Sequence, residues 1–348
     1  MASDKLIIAG PCSAESRVQL LRSCTLLAEN PSVGMLRIGV WKPRTKPGGF
    51  EGVGVQALEW IKEAKELTGL PVAIEVARAE HVEAALKYGV DMLWIGARST
   101  VNPFVVQEIA EALRGVSSQR VFIKNPLSAD VGLWAGALER LQCVGLSDLG
   151  LIHRGFTSYN SRGYRNSPMW HLALDMQRLF PTLPMICDPS HIAGKRELIA
   201  EISQMAADLN FDGLMVESHC NPHSALSDAE QQLTPQDFSQ MLSNVVWRNA
   251  TLESESYTTE LSALRSRIDT LDGELFDILS RRMQISREIG ELKSQNNVVI
   301  VQNQRWSTIV KNFTLRSKEL GLSQDFVESV LGAIHSESIE NQNKIFKR

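Results

Sequence analysis

Four side chains spread along the sequence have the chemistry to hold one metal ion. They are Cys12, His191, Glu217 and Asp228. A thiolate, an imidazole and two carboxylates suit a borderline divalent ion such as Mn, Fe, Co or Zn, and not Mg or Ca alone. Because a single buried cysteine usually serves packing, this interpretation depends on a fold that brings the four side chains together.

A second set of residues carries positive charge. It consists of Arg37, Lys42, Arg44, Arg98, Lys124 and Arg154. Cations that converge need anions to neutralise them, and the guanidinium fork suits phosphate or carboxylate. The set therefore predicts a pocket for substrates that carry several negative charges. Two carboxylates, Glu75 and Asp188, stand at comparable places in the sequence.

Both sets follow short apolar runs. These runs cover residues 6–9, 35–39, 72–76, 92–95, 121–124, 149–153, 184–187 and 213–217. Runs nearly continuous in Val, Ile, Leu and Met predict parallel strands buried on both faces, and the segments between them, such as 56–67 and 79–88, predict helices. Eight such units predict an α/β fold with a closed (β/α)₈ TIM barrel, in preference to an open doubly wound sheet. Functional residues of such a barrel lie at the C-terminal strand ends, where both sets fall.

The pattern changes after Trp247. Residues 248–257 are polar and aperiodic, as is typical of a linker. From 258 to 293, apolar residues recur at steps of three and four, which predicts one long helix with a heptad seam. A break at 296–301, a helix from 302 to about 320, a turn at 321–323 with Ser323 as N-cap, and a last helix complete the pattern. The predicted domains are therefore a barrel over 1–247 and a separate all-α three-helix domain over 258–348.

One arginine interrupts the heptad seam. Arg282 stands where the pattern requires an apolar residue, and a buried arginine is costly unless it is paired. Arg282 therefore predicts a bound anion. Lys293 lies eleven residues further along, close to three turns, so it shares that face. Arg265 lies seventeen residues earlier and roughly 100° out of phase, so it does not easily serve the same pocket within one helix but could serve the pocket of a partner chain.

The composition argues against several classes of protein. The net charge of −4 gives no reason to expect a nucleic-acid partner. No apolar run approaches the roughly 20 residues of a membrane helix, and the first residues do not resemble a secretory signal. Five scattered cysteines without a CxxC pair argue against a disulfide framework and favour a reducing cytoplasm.

Six motifs, taken in order, resemble 3-deoxy-D-arabino-heptulosonate 7-phosphate (DAHP) synthase of the short Iβ type. They are Gly10-Pro11-Cys12-Ser13, Lys42-Pro43-Arg44-Thr45, Ile95-Gly96-Ala97-Arg98, His153-Arg154-Gly155, Asp188-Pro189-Ser190-His191 and Ala225-Leu226-Ser227-Asp228. The resemblance covers residues 1–245. It implies a metal-dependent condensation of phosphoenolpyruvate with erythrose 4-phosphate.

The same resemblance implies a role for each site residue. One divalent ion per barrel, expected to be Mn with Fe, Co or Zn as alternatives, would be held by Cys12, His191, Glu217 and Asp228. Phosphoenolpyruvate would be bound by Arg98, Lys124 and Arg154 beside Arg37. The aldose phosphate would be bound by Lys42, Arg44 and Thr45. The centre would be lined by Glu75 and Asp188, with Lys42 as the candidate proton donor.

Two alternatives stay open for the barrel. One is an octulosonate 8-phosphate synthase, which would use arabinose 5-phosphate; such enzymes resemble Lys-Ala-Asn-Arg where this chain has Lys42-Pro43-Arg44-Thr45, and the latter favours the four-carbon sugar. The other is a non-enzymatic regulator that binds sugar phosphates, which the full set of rim residues disfavours.

Residues 258–345 resemble the all-helical chorismate mutases. In that family an intertwined homodimer binds chorismate and rearranges it to prephenate. By motif, Arg265 would reach across to the partner, and the other ligands would be Arg282, Lys293, Arg305, Ser338 and Gln342. Lys293 would assist catalysis at the ether oxygen.

The helical domain departs from its family at two positions. Gln302 and Trp306 stand where many relatives place acidic groups that contact the substrate hydroxyl. An active mutase is the first expectation, followed by a sensor module without activity and then by a mere dimeriser. The first strand begins near Lys5 with no preceding regulatory domain, so feedback control is expected to come from the helical domain.

Overall fold

The structure, a computed structural model, describes residues 5–42, 48–158, 163–249 and 254–346. The chain divides into two compact units, Met1–Ala250 and Thr251–Arg348. Each unit is described below by itself. In the part of the chain described, no helix is long and apolar enough to cross a membrane.

Parallel strands of the first unit close into a barrel in sequence order, with the first strand paired to the eighth. The strands are β1 (Leu6–Gly10), β2 (Met35–Ile38), β3 (Val72–Val76), β4 (Met92–Ile95), β5 (Arg120–Lys124), β6 (Leu149–His153), β7 (Met185–Cys187) and β8 (Gly213–Glu217). Each lies within one residue of a predicted run at either end. The predicted (β/α)₈ fold is therefore confirmed.

Helices connect the strands on the outside of the barrel. They are α1 (Arg17–Ala28), α2 (Gln56–Thr68), α3 (Ala79–Lys87), α4 (Ala97–Thr100), α5 (Pro103–Ala112), α6 (Val131–Cys143), α7 (Trp170–Leu179), α8 (Pro189–Ala193), α9 (Ile199–Asp208) and α10 (Pro235–Asn244). Several begin at a side-chain N-cap; in α6, for example, Asp130 accepts a hydrogen bond from the backbone N–H of Leu133. Such caps fix where each strand-end loop gives way to its helix.

The strands bury side chains on both faces. Residues that point into the barrel form one apolar cluster, made of Ile8, Met35, Ala73, Met92, Trp94, Phe122, Ile152, Ile186 and Met215. Residues on the opposite face pack against the helices and form a second, larger cluster. The interior is thus a packed core, and the polar side chains at the strand ends lie above it.

The second unit consists of three helices, α11 (Glu255–Gln295), α12 (Asn303–Ser317) and α13 (Gln324–Phe346). The first begins three residues before the predicted start, because Ser254 caps it by accepting a hydrogen bond from the N–H of Tyr257. Ser323 accepts from the N–H of Phe326 at 3.2 Å, which confirms the predicted cap of the last helix. At Gly290 the helices α11 and α13 come so close that a Cβ would lie 3.0 Å from side-chain atoms of Gln342 and Ile345.

The heptad seam of α11 faces outward within this single chain. Its members from Leu264 to Leu292 are all at least 43% exposed. They are Leu264, Ile268, Leu271, Leu275, Ile278, Ile285, Ile289 and Leu292. An apolar stripe of this length is unusual on the surface of a monomer and marks an interaction face.

Candidate active site

The predicted metal ligands converge at the C-terminal end of the barrel. Cys12 follows β1, Glu217 ends β8, and Asp228 lies in the loop after β8; their ligand atoms lie within 4.8 Å of one another. His191, on α8, brings its Nε2 atom to 3.8 Å from Oε1 of Glu217. Four side chains that are distant in sequence therefore face one small volume.

Asp188 fixes the orientation of the imidazole. One of its carboxylate oxygens lies 2.8 Å from Nδ1 of His191, and that oxygen also accepts a 2.6 Å hydrogen bond from Nζ of Lys124. Burial lowers the pKa of His191, which favours the neutral ring although Asp188 opposes the shift. With Nδ1 turned to Asp188, the lone pair of Nε2 is directed toward Glu217, as in carboxylate–histidine–metal arrangements.

These donors fit a divalent ion. Burial, together with the nearby Glu217, raises the pKa of the Cys12 thiol to about 12. Its Sγ atom lies 3.4 Å from Oδ2 of Asp228 and donates a hydrogen bond to it. Oε1 of Glu217 has Arg37 as an ion-pair partner at 3.0 Å but accepts no hydrogen bond from the described residues. A cation that displaces the thiol proton would satisfy both the sulfur and this oxygen.

Trp94 forms the floor beneath the cations. The Arg37 guanidinium lies 5.2 Å and the Lys124 ammonium 5.5 Å from its ring centroid, within the range of a cation–π interaction. The indole N–H donates to Oε2 of Glu75 at 3.3 Å. Arg37 is 1% exposed, and its Nε and Nη1 groups have no hydrogen-bond partner among the described residues. Those donors point to an anion in the mouth.

Two glycines make room for catalytic candidates. A Cβ on Gly96 would lie 2.0 Å from Oε1 of Glu75, and a Cβ on Gly39 would lie 2.0 Å from the carbonyl oxygen of Cys12. Lys42 donates from Nζ to that same Cys12 carbonyl at 3.0 Å. Burial would lower the pKa of Lys42, but the facing Cys12 and Glu217 raise it above its usual value. The lysine is therefore protonated at neutral pH.

The remaining predicted cations lie on the β4 to β6 side. Arg154 is buried, and its backbone N–H donates to Oδ1 of Asn125 at 2.7 Å. Burial lowers the pKa of Arg154 to about 10, and the charges of Arg165 and Arg98 act in the same direction, so these cations face one another. Arg98 is exposed on α4. The predicted ligands Arg44 and Thr45 lie outside the described residues.

His153 does not join these polar groups. Its ring packs among Trp134, Phe156, Trp170 and Phe211, all within 6.5 Å between ring centroids. Burial lowers the pKa of His153 to about 3, with the Pro168 carbonyl opposing the shift. Although it ends a strand as the polar rim residues do, His153 is a neutral packing group of the outer core.

Sequence reasoning missed several residues that contact the site. Asn125 and Trp94 gave no signal, because one follows a lysine already assigned and the other lies inside an apolar run. Arg165 pairs with Asp228 at 3.2 Å, and Gln231 donates to Glu217 at 2.6 Å. Both come from loops without periodicity, so only the folded chain reveals them.

The helical unit brings part of its predicted set together. Nη1 of Arg282 donates to Oγ of Ser338 at 2.6 Å, and Nε2 of Gln342 donates to Oγ of Ser286 at 3.2 Å. Oε1 of Gln342 is buried without a partner among the described residues. Lys293 instead donates to the Ile300 carbonyl at 2.5 Å.

Two predicted mutase residues stay apart from this group. Arg305 and Arg265 are exposed, and at 1.5 Å per residue Arg265 lies about 25 Å along α11 from Arg282. Trp306 stacks on His335 of α13, with ring centroids 4.0 Å apart. An aromatic pair thus stands near the cation where related mutases place acidic groups.

The barrel, with metal-ligand and cationic side chains at its strand ends, has the architecture of an enzyme that acts on small anionic substrates. The chain belongs to the DAHP synthetase I family, whose family model matches residues 2–253. A second family model, chorismate mutase type II, matches residues 264–343. One chain thus combines a transferase family with an isomerase family, and both resemblances drawn from the motifs are confirmed.

Individual proteins give the same result. Phospho-2-dehydro-3-deoxyheptonate aldolase of Thermotoga maritima is 31% identical over 68% of this chain and 67% of its own length. The crystal structure of the DAHP synthase from Thermotoga maritima superposes with a TM-score of 0.61 at 29% identity, covering 69% of this chain and 67% of that one.

Further matches cover each unit separately. A 2-dehydro-3-deoxyphosphooctonate aldolase of Wolinella succinogenes is 26% identical over 66% of this chain and 94% of its own length. The T-protein of Enterobacter agglomerans is 33% identical over 24% of this chain and 22% of its own length.

The buried histidine predicts an acid-sensitive barrel. His153 has a pKa of about 3 in the fold against an ordinary value of 6.5, so the unfolded chain binds the proton first as the pH falls. The neutral ring contributes its full share of the unfolding free energy above pH 6.5, and this share is lost as the pH falls toward 3. We expect His153→Phe to gain about 1.4 kcal/mol in unfolding free energy relative to the wild type for each pH unit below 6.5.

Urea unfolding of the full chain, followed by tryptophan fluorescence at about pH 7 and about pH 5, measures this gain. His171→Gln, at an exposed histidine on α7, is the control. If the wild type and His153→Phe lose the same unfolding free energy between about pH 7 and about pH 5, the role assigned to His153 is wrong.

Proposed function

We propose that the barrel catalyses the metal-dependent condensation of phosphoenolpyruvate with erythrose 4-phosphate and water, giving DAHP and phosphate. The observation that carries the proposal is the convergence of three ligand atoms within 4.8 Å, beside a buried arginine with unpaired donors. Membership of the DAHP synthetase I family supports the same reaction.

Phosphoenolpyruvate carries a carboxylate and a phosphate on the carbon next to the condensing one, so we assign it to the cationic side of the site. Among the described residues, Lys124 donates a hydrogen bond only to Asp188. Asn125 accepts from the backbone N–H of Arg154, whose guanidinium donates to the Gly155 carbonyl at 3.3 Å. Lys124 and Arg154, with Arg98 and Arg37, would bind the phosphate and the carboxylate. The buried cations among them, Arg37, Lys124 and Arg154, would bind a multiply charged anion strongly because water does not screen them.

The metal ligands Cys12, His191, Glu217 and Asp228 would hold a divalent ion, which as a Lewis acid would polarise the aldehyde oxygen of the sugar. The enol carbon of phosphoenolpyruvate adds to that aldehyde carbon. Protonated Lys42, beside the Cys12 carbonyl, holds the proton that the developing alkoxide needs. Its raised pKa suits a donor that must stay protonated until that step.

Positive charge then develops at the carbon that carries the phosphate. Glu75, which Trp94 holds in place, is the carboxylate that faces this charge. A water molecule adds to that carbon and gives up one proton to Glu75, which leaves a tetrahedral hydroxy phosphate ester. The bond between that carbon and the bridging oxygen then breaks, the hydroxyl proton leaves with the phosphate, and the carbon becomes the ketone of DAHP. The roles of Glu75 and Lys42 follow from their charge and position alone.

Octulosonate 8-phosphate synthesis is the second candidate for the barrel. The Wolinella succinogenes relative, named 2-dehydro-3-deoxyphosphooctonate aldolase, matches over 94% of its length, though at 26% identity. Residues Pro43, Arg44 and Thr45 favour the four-carbon sugar. A comparison of phosphoenolpyruvate consumption with erythrose 4-phosphate and with arabinose 5-phosphate separates the two.

For the helical unit we propose rearrangement of chorismate to prephenate by a homodimer. Arg282 donates a hydrogen bond to the hydroxyl of Ser338 on α13 at 2.6 Å. This contact leaves its charge unneutralised, so Arg282 is placed to bind a carboxylate of chorismate. The exposed apolar seam of α11 supports pairing with a second copy, and pairing would bring Arg265 of that copy to this pocket. Lys293 would stabilise the ether oxygen of chorismate. A sensor without activity is the alternative.

We also propose that a ligand of the helical unit controls the barrel. The fusion of the two enzyme families in one chain supports this, because prephenate lies downstream of DAHP formation. The control would be exerted by prephenate or chorismate at the Arg282 pocket.

Replacing Lys42 tests the proton donor. We expect Lys42→Met to lower the rate of phosphoenolpyruvate consumption by about 10²–10⁴-fold while divalent-metal binding persists. The assay follows phosphoenolpyruvate absorbance, with Lys62→Met, at an exposed lysine of α2, as the control. Turnover at the wild-type rate would refute the assignment.

Chorismate consumption tests the helical unit. We expect Arg282→Ala to slow the loss of chorismate absorbance at least about 30-fold, which corresponds to 2 kcal/mol or more for removing a charged partner. Arg281→Ala changes the exposed neighbouring arginine and should leave the rate unchanged. If the wild type consumes no chorismate while the barrel is active, the unit is a sensor or a dimeriser.

A mixing experiment extends this test to the dimer. The Arg265→Ala and Arg282→Ala chains, each inactive alone, are mixed in equal amounts and allowed to exchange subunits. If Arg265 acts across subunits, each heterodimer has one intact site. Because about half of the dimers are then heterodimers, about a quarter of the wild-type rate should return. No recovery after exchange would place both arginines in the same chain's site or outside it.

Prephenate tests the control. We expect saturating prephenate to inhibit phosphoenolpyruvate consumption by the wild type and to leave the Arg282→Ala enzyme uninhibited. A wild-type rate that does not change with prephenate would exclude this form of feedback.

A further inference from the structure

The loop between β8 and α10 holds Asp228 in an uncommon backbone conformation. Its φ and ψ angles, 46° and 41°, lie in the left-handed region, although it is not a glycine. Such a conformation persists only where the surroundings determine it. What holds this loop therefore also determines where one metal-ligand candidate lies.

Gln231 and Arg165 connect the two carboxylates of the site. Gln231 is 1% exposed; its Nε2 donates to Oε2 of Glu217 at 2.6 Å, and its Oε1 accepts from Nη1 of Arg165 at 2.6 Å. The same Nη1 donates to Oδ1 of Asp228 at 3.2 Å. One amide and one guanidinium thus form a continuous bridge from Glu217 to Asp228.

The bridge uses one oxygen of each carboxylate and leaves the other. On Glu217 it uses Oε2, while Oε1 faces Nε2 of His191 at 3.8 Å and pairs with Nη2 of Arg37 at 3.0 Å. On Asp228 it uses Oδ1, while Oδ2 lies 3.4 Å from Sγ of Cys12. The two remaining oxygens are those that face the other ligand candidates.

The neighbouring residue anchors the same loop to the third ligand. Oε1 of Gln232 accepts from the backbone N–H of Cys12 at 2.9 Å, and its Nε2 donates to the Ser227 carbonyl at 2.8 Å. Arg196 donates to the carbonyls of Gln232 and Ala229. These contacts hold the backbone on either side of Gln231 without using its side-chain amide. A change at that amide would therefore alter the orientation of the Glu217 carboxylate without moving the loop.

We propose that Gln231 and Arg165 act as one positioning unit, which selects Oε1 of Glu217 and Oδ2 of Asp228 as the coordinating oxygens. The inference rests on the proposed metal centre and names residues that neither bind substrate nor ligate the ion. Partners of metal ligands typically contribute 10–100-fold to metal affinity.

Titration of the full-length protein with Co²⁺ tests the unit, because thiolate coordination by Cys12 gives a charge-transfer absorption band. We expect Gln231→Met, which keeps the length but removes both hydrogen bonds, to weaken Co²⁺ binding about 10–100-fold and to alter the spectrum. Arg165→Met, at a side chain that is 40% exposed, should have a similar effect with less risk to the fold. Gln236→Met, on the exposed face of α10, is the control.

The double variant distinguishes a unit from two separate contacts. If Gln231 and Arg165 act together, the double variant should bind Co²⁺ about as weakly as either single variant, whereas independent effects would multiply. Unchanged affinity and spectrum in both single variants, or multiplied effects in the double, would overturn the proposal.

Cys12→Ser separates this inference from the metal centre itself. A wild-type charge-transfer band that disappears in Cys12→Ser establishes the centre, whatever the Gln231 variants do. Absence of Co²⁺ binding by the wild type would overturn the metal centre and the positioning unit together.

Discussion

Arg37 and Glu217 lie 3.0 Å apart at the mouth of the barrel, and neither is more than 1% exposed. Removing two such charges from water is costly, and their attraction compensates only if further partners satisfy the remaining atoms. Glu217 has Gln231 and the neighbouring metal-ligand candidates, and Arg37 has the face of Trp94. The rest of the site depends on this ion pair, because every further buried charge needs a partner of opposite sign that Arg37 and Glu217 do not already use.

The barrel solves that problem with alternating signs. Lys124 is matched by Asp188, which also contacts Nδ1 of the neutral His191 ring at 2.8 Å, and protonated Lys42 lies near Glu217. A divalent ion would add positive charge to this arrangement, and the anionic substrates would supply the corresponding negative charge. Without the ion, the net positive charge at the mouth is therefore smaller than the number of its arginines and lysines suggests. Binding of the ion would increase that charge.

The sequence predicts those features whose cause is local. Parallel strands buried on both faces require continuous apolar runs, so all strands were found within a residue at either end. Strand ends carry the chemistry of a barrel, so the sequence also suggests which side chains lie at that end, while the roles of the individual ligands stay predictions. Position at a strand end does not by itself assign a side chain to the site, because His153 turns outward and aromatic rings enclose it.

Other features arise only from the folded chain. Trp94 reads as one more apolar residue of β4, yet its ring supports two cations and its N–H orients Glu75. Gln231 and Arg165 are 66 residues apart and meet through an αL turn that no spacing indicates. The start of α11 at Glu255 depends on the single cap of Ser254 within a polar stretch that resembles a linker.

In the helical unit, by contrast, the cation Arg282 is exposed within the single chain. Arg282 has no carboxylate partner among the described residues, and partial burial lowers its pKa. Its hydroxyl partner Ser338 orients the guanidinium without neutralising it. A dicarboxylate is the ligand that would complete this pocket, and a second α11 seam would cover the apolar stripe beside it. The barrel is therefore arranged around charges that are paired within one chain, whereas in the described part of the helical unit Arg282 has no carboxylate partner and the seam of α11 is exposed.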